Sequence, residues 1–281
     1  MVLDLDAYFA RVGYTGSRDP TLETLRVLHA KHAAAIPFEN LNPLAGWPVR
    51  LDLESLENKL VRGGRGGYCF EQNLLFSSVL RTLGYGVTDL AARVLWRSRN
   101  DDDLRPRTHM LLLVDVQGVK HLTDIKFGEQ SLTGPLRFVT DVEQTTPHEP
   151  FRLLHVEGAG PEEYKLQSLV GRVWKTLYRF DLQPQLEGDY ELPNHYLCTR
   201  DQSHFRTTLA AARALPDRRY GLANNFLSTH RRDAPSERRA LKSIPEVRQV
   251  LTEIFGLTLP GDAQSREELD VAIARVCELP R

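Results

Sequence analysis

Residues 62–73 have the sequence RGGRGGYCFEQN, a glycine-rich turn that leads directly into a segment with helical periodicity. Apolar residues follow Cys69 at intervals of about three to five positions and stop before Gly84: Phe70, Leu74, Leu75, Val79, Leu80 and Leu83. The spacing predicts an amphipathic helix with a glycine at its C-terminal end. Cys69 then lies in the first turn, where free N–H groups and the helix dipole favour a thiolate, and Arg62 and Arg65 add positive charge.

A cysteine at such a helix start predicts a reactive thiol. Paired glycines permit positive φ and let a substrate come close to the main chain, which suits acyl transfer with N–H groups facing an oxyanion. A phosphate-binding loop is less favoured, because no Gly-Lys-Ser/Thr follows and the spacing Gly-x-Gly-x-x-Gly is absent. The structural alternative is a buried cysteine that packs as a small hydrophobic residue.

Charge balance and cysteine count narrow the function classes. The chain has 281 residues, enough for a substantial core, and 36 lysines and arginines against 37 acidic residues. This balance predicts neither a nucleic-acid partner nor a membrane partner. The cysteines, at positions 69, 198 and 277, have no metal-ligand spacing, so we expect no metal site and a reducing compartment. Acidic residues near the N-terminus and the lack of an apolar run of roughly 18 residues indicate a soluble, cytoplasmic protein.

The N-terminal part of the chain is predicted to be helical. Residues 4–33 carry two apolar stripes separated by a Gly/Ser/Pro break at 13–20, and residues 51–60 predict a further helix. His29 and His32 are expected to be surface or packing residues rather than ligands.

Between these helices, residues 36–44 form an irregular segment with prolines near both ends. Glu39 lies in this segment between apolar residues. If it is buried it needs a cation, and Arg65 is the candidate; the alternative is an exposed loop acid.

Beyond Gly84 the pattern changes to short segments rich in Val, Leu and Thr, which predict strands. Strands are expected at residues 87–94, 108–116, 119–127, 135–139 and 151–156, whereas residues 164–179 fit either a strand or a helix. Residues 100–103 predict a solvated loop tip rather than a metal site.

The hairpin around Gln117 and Gly118 predicts the geometry of two polar residues. With those two residues as the turn, opposing positions sum to 235, so that His109 and Asp124 share one face as diagonal neighbours. A carboxylate then lies within reach of an imidazole, which is what a thiolate at Cys69 requires. A loop of odd length would put the two residues on opposite faces.

The last third is predicted to begin at a boundary rich in Pro, Gly, Asn and acids. The boundary lies at residues 183–193, strands follow at 207–215 and 220–226, and amphipathic helices at 245–255 and 265–277.

Four blocks of this sequence together resemble the arylamine N-acetyltransferase family in their order and spacing. They are IPFENL at 36–41, RGGYCFEQN at 65–73, THMLLLV at 108–114 and DIKFG at 124–128. The resemblance implies an α+β fold with a papain-like Cys-His-Asp arrangement. A helical bundle over residues 1–85 would carry the cysteine, a central β-barrel-like domain over 86–190 the histidine and aspartate, and residues 191–281 would form an α/β lid.

The resemblance also implies a reaction. Acetyl-CoA would be the co-substrate, with no tightly bound cofactor, and a small arylamine, arylhydrazine or N-hydroxyarylamine would accept the acetyl group in a double displacement. Cys69 would be the nucleophile, His109 the base and Asp124 the group that orients it, with backbone N–H groups near Cys69 as the oxyanion site.

Phe38 and Phe127 match aromatic positions that line the family's acceptor pocket, and Phe205 is a further candidate; core packing is the alternative for each. The sequence also departs from the family, which has Asp-Val-Gly-Phe-Gly-Gly where residues 124–129 are DIKFGE. Lys126 is expected to protrude into the pocket, where its side chain would narrow the space, repel cationic acceptors or contact a CoA phosphate. The negative charge of Glu129 would oppose binding of that phosphate. We therefore expect ordinary arylamines to be poor acceptors.

Three alternatives stay open from the sequence. The same three residues serve amide synthases that transfer a carrier-bound acyl chain and close a macrolactam, and thiol hydrolases or transglutaminase-like enzymes. A binding module that cannot turn over is the non-enzymatic alternative. The sequence also leaves open whether the protein forms a homo-oligomer.

Overall fold

The computed structural model describes residues 3–100, 105–158, 162–232 and 234–278. The loop tip predicted at residues 100–103 lies outside this range except for its first residue. Within the described residues, no helix combines the length and the apolar character that crossing a membrane requires.

The N-terminal region is helical, as the sequence predicts. Its helices are α1 (Leu5–Val12), α2 (Leu22–Ala35), α3 (Leu41–Ala45), α4 (Leu53–Leu56), which continues as a π-helical turn over Glu57–Arg62, and α5 (Cys69–Thr82). Asp4 and Thr21 cap the first two helices by accepting hydrogen bonds from N–H groups of the first turn. Gly13 ends α1 in the left-handed conformation, with φ 66°, which explains the break after it. His29 and His32 are both buried, so packing, rather than the surface, is their environment.

A sheet of seven antiparallel strands occupies the middle of the chain. Its strands are β2 (Gly86–Val94), β3 (Arg107–Val116), β4 (Val119–Thr123), β5 (Leu136–Arg137), β6 (Phe151–Val156), β7 (Glu163–Val170) and β8 (Val173–Asp181). Their order is β5-β4-β3-β2-β8-β7-β6. Isolated pairs join β6 to residues that follow β5, so the two edges approach each other and the sheet is nearly closed. This confirms an α+β architecture with a barrel-like sheet, and it resolves residues 164–179 as strands.

A second sheet connects the N-terminal region to the last third of the chain. β1 (Phe38–Glu39) pairs with β9 (Ala210–Leu215), and β10 (Arg218–Ala223), β11 (Phe226–Arg231) and β12 (Glu237–Ala240) follow in order. The helices of this region are α6 (Glu187–Thr199), α7 (His204–Thr207), α8 (Ile244–Gln249), which continues as a π-helical turn over Val250–Ile254, and α9 (Ala263–Cys277). Apolar residues of β9–β11, α8 and α9, together with Phe255, form a separate core that packs with this sheet.

Two predictions about local structure are wrong. The strand predicted at 119–127 ends at Thr123, because the backbone of Ile125 bonds to the side chain of Asn73 instead of to β3. The predicted boundary at 183–193 contains the start of α6, with Pro193 inside the helix. Asp189 accepts a hydrogen bond from the N–H of Leu186 at the helix start, which overrides the unfavourable composition.

Candidate active site

The glycines before Cys69 let two other segments pack tightly against the turn. A Cβ on Gly66 would lie 2.3 Å from the carbonyl oxygen of Pro37, and one on Gly67 would lie 2.5 Å from Oε2 of Glu71. A side chain at position 66 would therefore collide with the backbone, and one at position 67 would displace the carboxylate of Glu71. The space is filled by the protein itself rather than open to a substrate, which corrects the interpretation made from the sequence.

A buried ion pair holds this turn against the segment around Phe38. Nε and Nη2 of Arg65 donate to Oε1 of Glu39 at 3.0 and 2.7 Å, and the other oxygen of Glu39 accepts from the N–H of Leu41 at 2.6 Å. Burial alone would raise the pKa of Glu39, but Arg65 and then Lys59 outweigh it and lower that pKa. The predicted pairing of Glu39 with Arg65 is confirmed.

Helix α5 begins at Cys69, so the thiol lies in the first turn as the sequence predicts. Oε2 of Glu71 accepts a hydrogen bond from the N–H of Tyr68 at 3.1 Å and caps the helix. The Sγ atom of Cys69 lies 3.8 Å from the carbonyl oxygen of Thr108, the residue before His109. The first residue of α5 thus lies beside the N-terminal end of β3.

His109 and Asp124 form a buried hydrogen-bonded pair. Nε2 of His109 lies 2.7 Å from Oδ2 of Asp124. The hairpin has the predicted register, since Val116 pairs with Val119 and Leu112 with Thr123. Asp124 follows the last strand residue and reaches back to the imidazole. The geometry that the pairing predicts is therefore present, although Asp124 itself lies outside the strand.

The pKa values of His109 and Asp124 are set by the charges of their partners more than by their burial. Burial alone would lower the pKa of His109, but the carboxylate of Asp124 and then Cys69, which also hydrogen-bonds the ring, raise it to about 10. Burial alone would raise the pKa of Asp124, but His109 outweighs it and lowers that pKa. The structure therefore brings Cys69, His109 and Asp124 together, with the imidazole charged at neutral pH.

Asn73 is a supporting residue that the sequence did not assign. Its Nδ2 donates to the carbonyl oxygen of Met110 at 2.8 Å and to Oδ1 of Asp124 at 3.3 Å, and its Oδ1 accepts from the N–H of Ile125. Asn73 lies four residues after Cys69 and therefore on the same face of α5. That spacing is the signal that could have identified it.

A cavity of about 330 Å³ opens at Cys69 and His109. Phe38, Phe127 and Phe205 all line it, together with small and apolar residues of β9 and β10. The ring of Phe127 packs edge-on against the imidazole of His109, with 4.9 Å between the ring centroids. The ring centroids of Phe38 and Phe205 are 6.1 Å apart. The three predicted aromatic residues thus line the same cavity as the thiol of Cys69.

Other aromatic residues at the site were not predicted. Trp96 and His204 line the cavity, and Tyr178 packs its ring 5.0 Å from that of His109. Trp96 follows a predicted strand and carries no sequence signal of its own. Tyr178 lies in the segment for which periodicity did not separate strand from helix.

Lys126 and Glu129 differ in where their charged ends lie. Nζ of Lys126 donates to the carbonyl oxygen of Ala33 at 2.9 Å, and the side chain is almost fully buried. Burial, followed by Arg213, lowers the pKa of Lys126 to about 7. Lys126 therefore lines the cavity, as expected from the sequence, but its ammonium is bound to α2 instead of protruding into the pocket. Glu129 lines the cavity and is half-buried.

Comparisons with known proteins agree on one family. A family profile described as N-acetyltransferase matches residues 21–264. The arylamine N-acetyltransferase of Escherichia coli K12 is 44% identical over 254 residues, covering 90% of this chain and 88% of its own. That of Mycobacterium tuberculosis H37Rv is 42% identical over 277 residues, covering 97% and 95%. The solved structure of Mycobacterium marinum arylamine N-acetyltransferase in complex with CoA has a TM-score of 0.90 at 38% identity, covering 98% of this chain and 100% of its own.

Proposed function

Because this chain belongs to the arylamine N-acetyltransferase family, we propose that it transfers an acetyl group from acetyl-CoA to a small arylamine, arylhydrazine or N-hydroxyarylamine through an acetyl-Cys69 intermediate. The observation that carries the proposal is the hydrogen-bonded His109–Asp124 pair beside Cys69, at the floor of an aromatic cavity. The CoA complex of the Mycobacterium marinum relative supports acetyl-CoA as the donor.

In the first half-reaction Cys69 is acetylated. The raised pKa of His109 keeps its imidazole protonated, so the sulfur of Cys69 faces an imidazolium and attacks as a thiolate. A bond forms between Sγ and the acetyl carbon, and the bond between that carbon and the sulfur of CoA breaks. The CoA thiolate takes the proton from His109, which leaves a neutral imidazole beside acetyl-Cys69.

In the second half-reaction the amine nitrogen attacks the same carbon. The neutral imidazole of His109 takes the proton that the amine loses, and Cys69 leaves as a thiolate, which restores the starting ion pair. Asp124 holds the ring in one orientation and stabilises its positive charge. The N–H of Cys69, which as a first-turn group has no intrahelical acceptor, would stabilise the oxyanion in both halves.

The cavity wall fits a flat aromatic acceptor. We assign Phe38, Phe127 and Phe205 to acceptor binding, because all three line the cavity and aromatic rings pack favourably against a flat aromatic ligand. We further propose that the last third acts as a lid, since residues of β9 and β10 complete the lining of the cavity to which β3 contributes His109. Within this division Arg65 and Glu39 are structural supports.

The test is the mass of the protein after incubation with acetyl-CoA alone. We expect one added acetyl group on Cys69 and its loss when an aniline or hydrazide is added, with the acetylated amine appearing as product. Cys69→Ala should abolish both steps. Cys198→Ala is the matched control and should retain them, because burial raises the pKa of the Cys198 thiol.

The outcomes separate the competing functions. No acetylation of Cys69 by free acetyl-CoA would contradict the proposal and favour a binding module, or an amide synthase that needs a carrier protein. Acetylation followed only by hydrolysis, with no amine product from the panel, would favour a thiol hydrolase.

A further inference from the structure

The backbone at Glu129 is fixed by contacts from two sides. Residues Gly128–Gln130 form a 3₁₀ turn, which Ser131 closes by accepting from the N–H of Phe127 at 2.7 Å and donating to the carbonyl of Gly128 at 2.8 Å. Nη1 of Arg219 donates to the carbonyl oxygens of Glu129 and Ser131, each at 2.9 Å. The position of Glu129 in the cavity wall is therefore set by β10 and by its own turn.

The side chain of Glu129 lies directly over Gly221 in β10. A Cβ on Gly221 would lie 1.5 Å from Oε1 of Glu129, 2.3 Å from Cδ and 2.7 Å from Cγ. The carboxylate thus occupies the volume that a side chain at position 221 would need. The carboxylate of Glu129 can lie at the β10 side of the cavity only because residue 221 is a glycine.

This carboxylate has no partner within the protein. Across the described residues, the carboxylate of Glu129 makes no hydrogen bond or ion pair, and Nη2 of the nearby Arg219 lies 2.6 Å from Oε2 of Glu149 instead. A half-buried carboxylate has several acceptor positions that water or a ligand must fill. Glu129 is also the only acidic residue among the described residues that line the cavity.

Among the described residues, no cationic side chain near the cavity forms an ion pair with this carboxylate. The guanidinium of Arg219 acts on it through space, but bonds directly to backbone carbonyls and to Glu149. Nζ of Lys126 is bound to Ala33, and burial, followed by Arg97, lowers the pKa of His204, so that its ring is neutral at pH 7. Arg97 lines the cavity too, but its side chain is exposed to solvent, where its charge is screened. His109 also lines the cavity, and its positive charge is paired with the carboxylate of Asp124. The other lining residues are mostly aromatic, aliphatic or small.

We propose that Glu129 selects acceptors that carry a cationic group in addition to the amine that is acetylated, because it presents a carboxylate without a hydrogen-bond or ion-pair partner to the largely apolar cavity that contains Cys69. This inference rests on the proposed function and names the acceptor class of the same site. It reverses the expectation that the pocket repels cationic acceptors, since the cation at Lys126 is buried against α2 and the anion at Glu129 remains.

The test compares two acceptors of equal shape, 4-aminophenyltrimethylammonium and 4-tert-butylaniline. The measured quantity is the ratio of their kcat/KM values with acetyl-CoA as donor. The substituent also changes the reactivity of the aniline, but that effect cancels when the ratio is compared between variants. Phenylalanines of the cavity attract a quaternary ammonium in every variant, so a change in the ratio reports the carboxylate alone.

We expect Glu129→Gln to lower this ratio by about fivefold, the effect of one ion pair at a partly exposed site. Gly221→Ala should lower it in the same direction, because the added Cβ displaces only the flexible end of Glu129. Glu143→Gln removes the same charge from an exposed residue that does not line the cavity, and should leave the ratio unchanged.

A ratio that stays the same in Glu129→Gln and in Gly221→Ala would overturn the inference, as would a wild-type protein that forms acetyl-Cys69 but uses neither aniline. The mass of acetyl-Cys69 is recorded in each sample. Its absence would contradict the proposed function itself, whereas its presence with an unchanged ratio contradicts only the role of Glu129.

Discussion

Replacing Arg65 by methionine tests whether the buried ion pair supports the turn before Cys69. The carboxylate of Glu39 is fully buried, and the Arg65 side chain is 13% exposed. Methionine fills a similar volume but leaves the carboxylate with the N–H of Leu41 and the more distant charge of Lys59. Arg65 also bonds to Asn42 at 2.9 Å, and that contact is lost as well.

The expected loss follows from the cost of an uncompensated buried charge. Removing one partner of a buried pair costs about 3–5 kcal/mol, and the contacts that Glu39 retains place this case near the lower end, at about 3 kcal/mol. Glu39→Gln combined with Arg65→Met removes both charges and keeps an acceptor for Leu41. We therefore expect the double variant to be more stable than Arg65→Met alone.

The pH dependence has a definite sign. In the wild type the pKa of Glu39 is lowered, so its contribution to stability is present above pH 4.5 and lost as the pH falls through the folded pKa. Without Arg65 burial dominates and raises this pKa, so the carboxylate destabilises the variant at pH 7 and less so once it is protonated. The gap between wild type and Arg65→Met should therefore narrow from pH 7 to pH 5.

The assay is urea unfolding of wild type, both single variants and the double variant at pH 7 and pH 5. A loss below about 1 kcal/mol for Arg65→Met at pH 7 would refute the reasoning, because that is the size of a solvent-exposed pair. A gap that does not change with pH would show that the loss comes from packing rather than from charge.

Three further predictions concern the site itself. Asp124→Asn removes the charge that raises the pKa of His109, and should slow acetylation of Cys69 on the order of 10³- to 10⁴-fold in single-turnover measurements, whereas a similar rate would exclude Asp124 as the orienting group. Alkylation of Cys69 by iodoacetamide at pH 6 should be much slower in His109→Gln than in the wild type, because the variant lacks the imidazolium beside the sulfur, and equal rates would argue against the ion pair with His109. Lys126→Met should raise the free energy of unfolding above that of the wild type, most below pH 7 and less as the pH rises to about 10. The reason is that the lowered pKa of Lys126 makes its charged form unfavourable in the folded protein. Urea unfolding from pH 6 to pH 10 measures this, and a stability difference that stays constant with pH would contradict it.

The nucleophile and its partners could be predicted because each depends on local rules. A glycine-rich turn followed by helical periodicity placed Cys69 at the start of α5, and α5 begins at that residue. The parity of a two-residue hairpin placed His109 and Asp124 on one face, and the two side chains are 2.7 Å apart. Helix starts and hairpin registers are set by residues close in sequence, so a single chain suffices to predict them.

The contents of the cavity could not be predicted in this way, because they depend on contacts between distant segments. The direction of the Lys126 side chain is decided by a carbonyl group on α2, 93 residues away. Likewise Asn40, directly after β1, donates to the carbonyl oxygens of Phe205 and Thr208 and so fixes the position of Phe205 in the cavity wall. Neither partner is indicated by periodicity or composition.

The departures at positions 126 and 129 therefore have to be judged from their partners. Two charged residues stand where the family pattern has glycines, and from the sequence both were expected to act in the pocket, with opposite effects on a CoA phosphate. In the structure the side chain of Lys126 is buried, and burial lowers its pKa, whereas Glu129 fits because Gly221 leaves room for its carboxylate. One substitution thus bears on stability and the other on the acceptor, and the two consequences can be measured separately, the first by unfolding across pH and the second by the ratio of charged to neutral anilines.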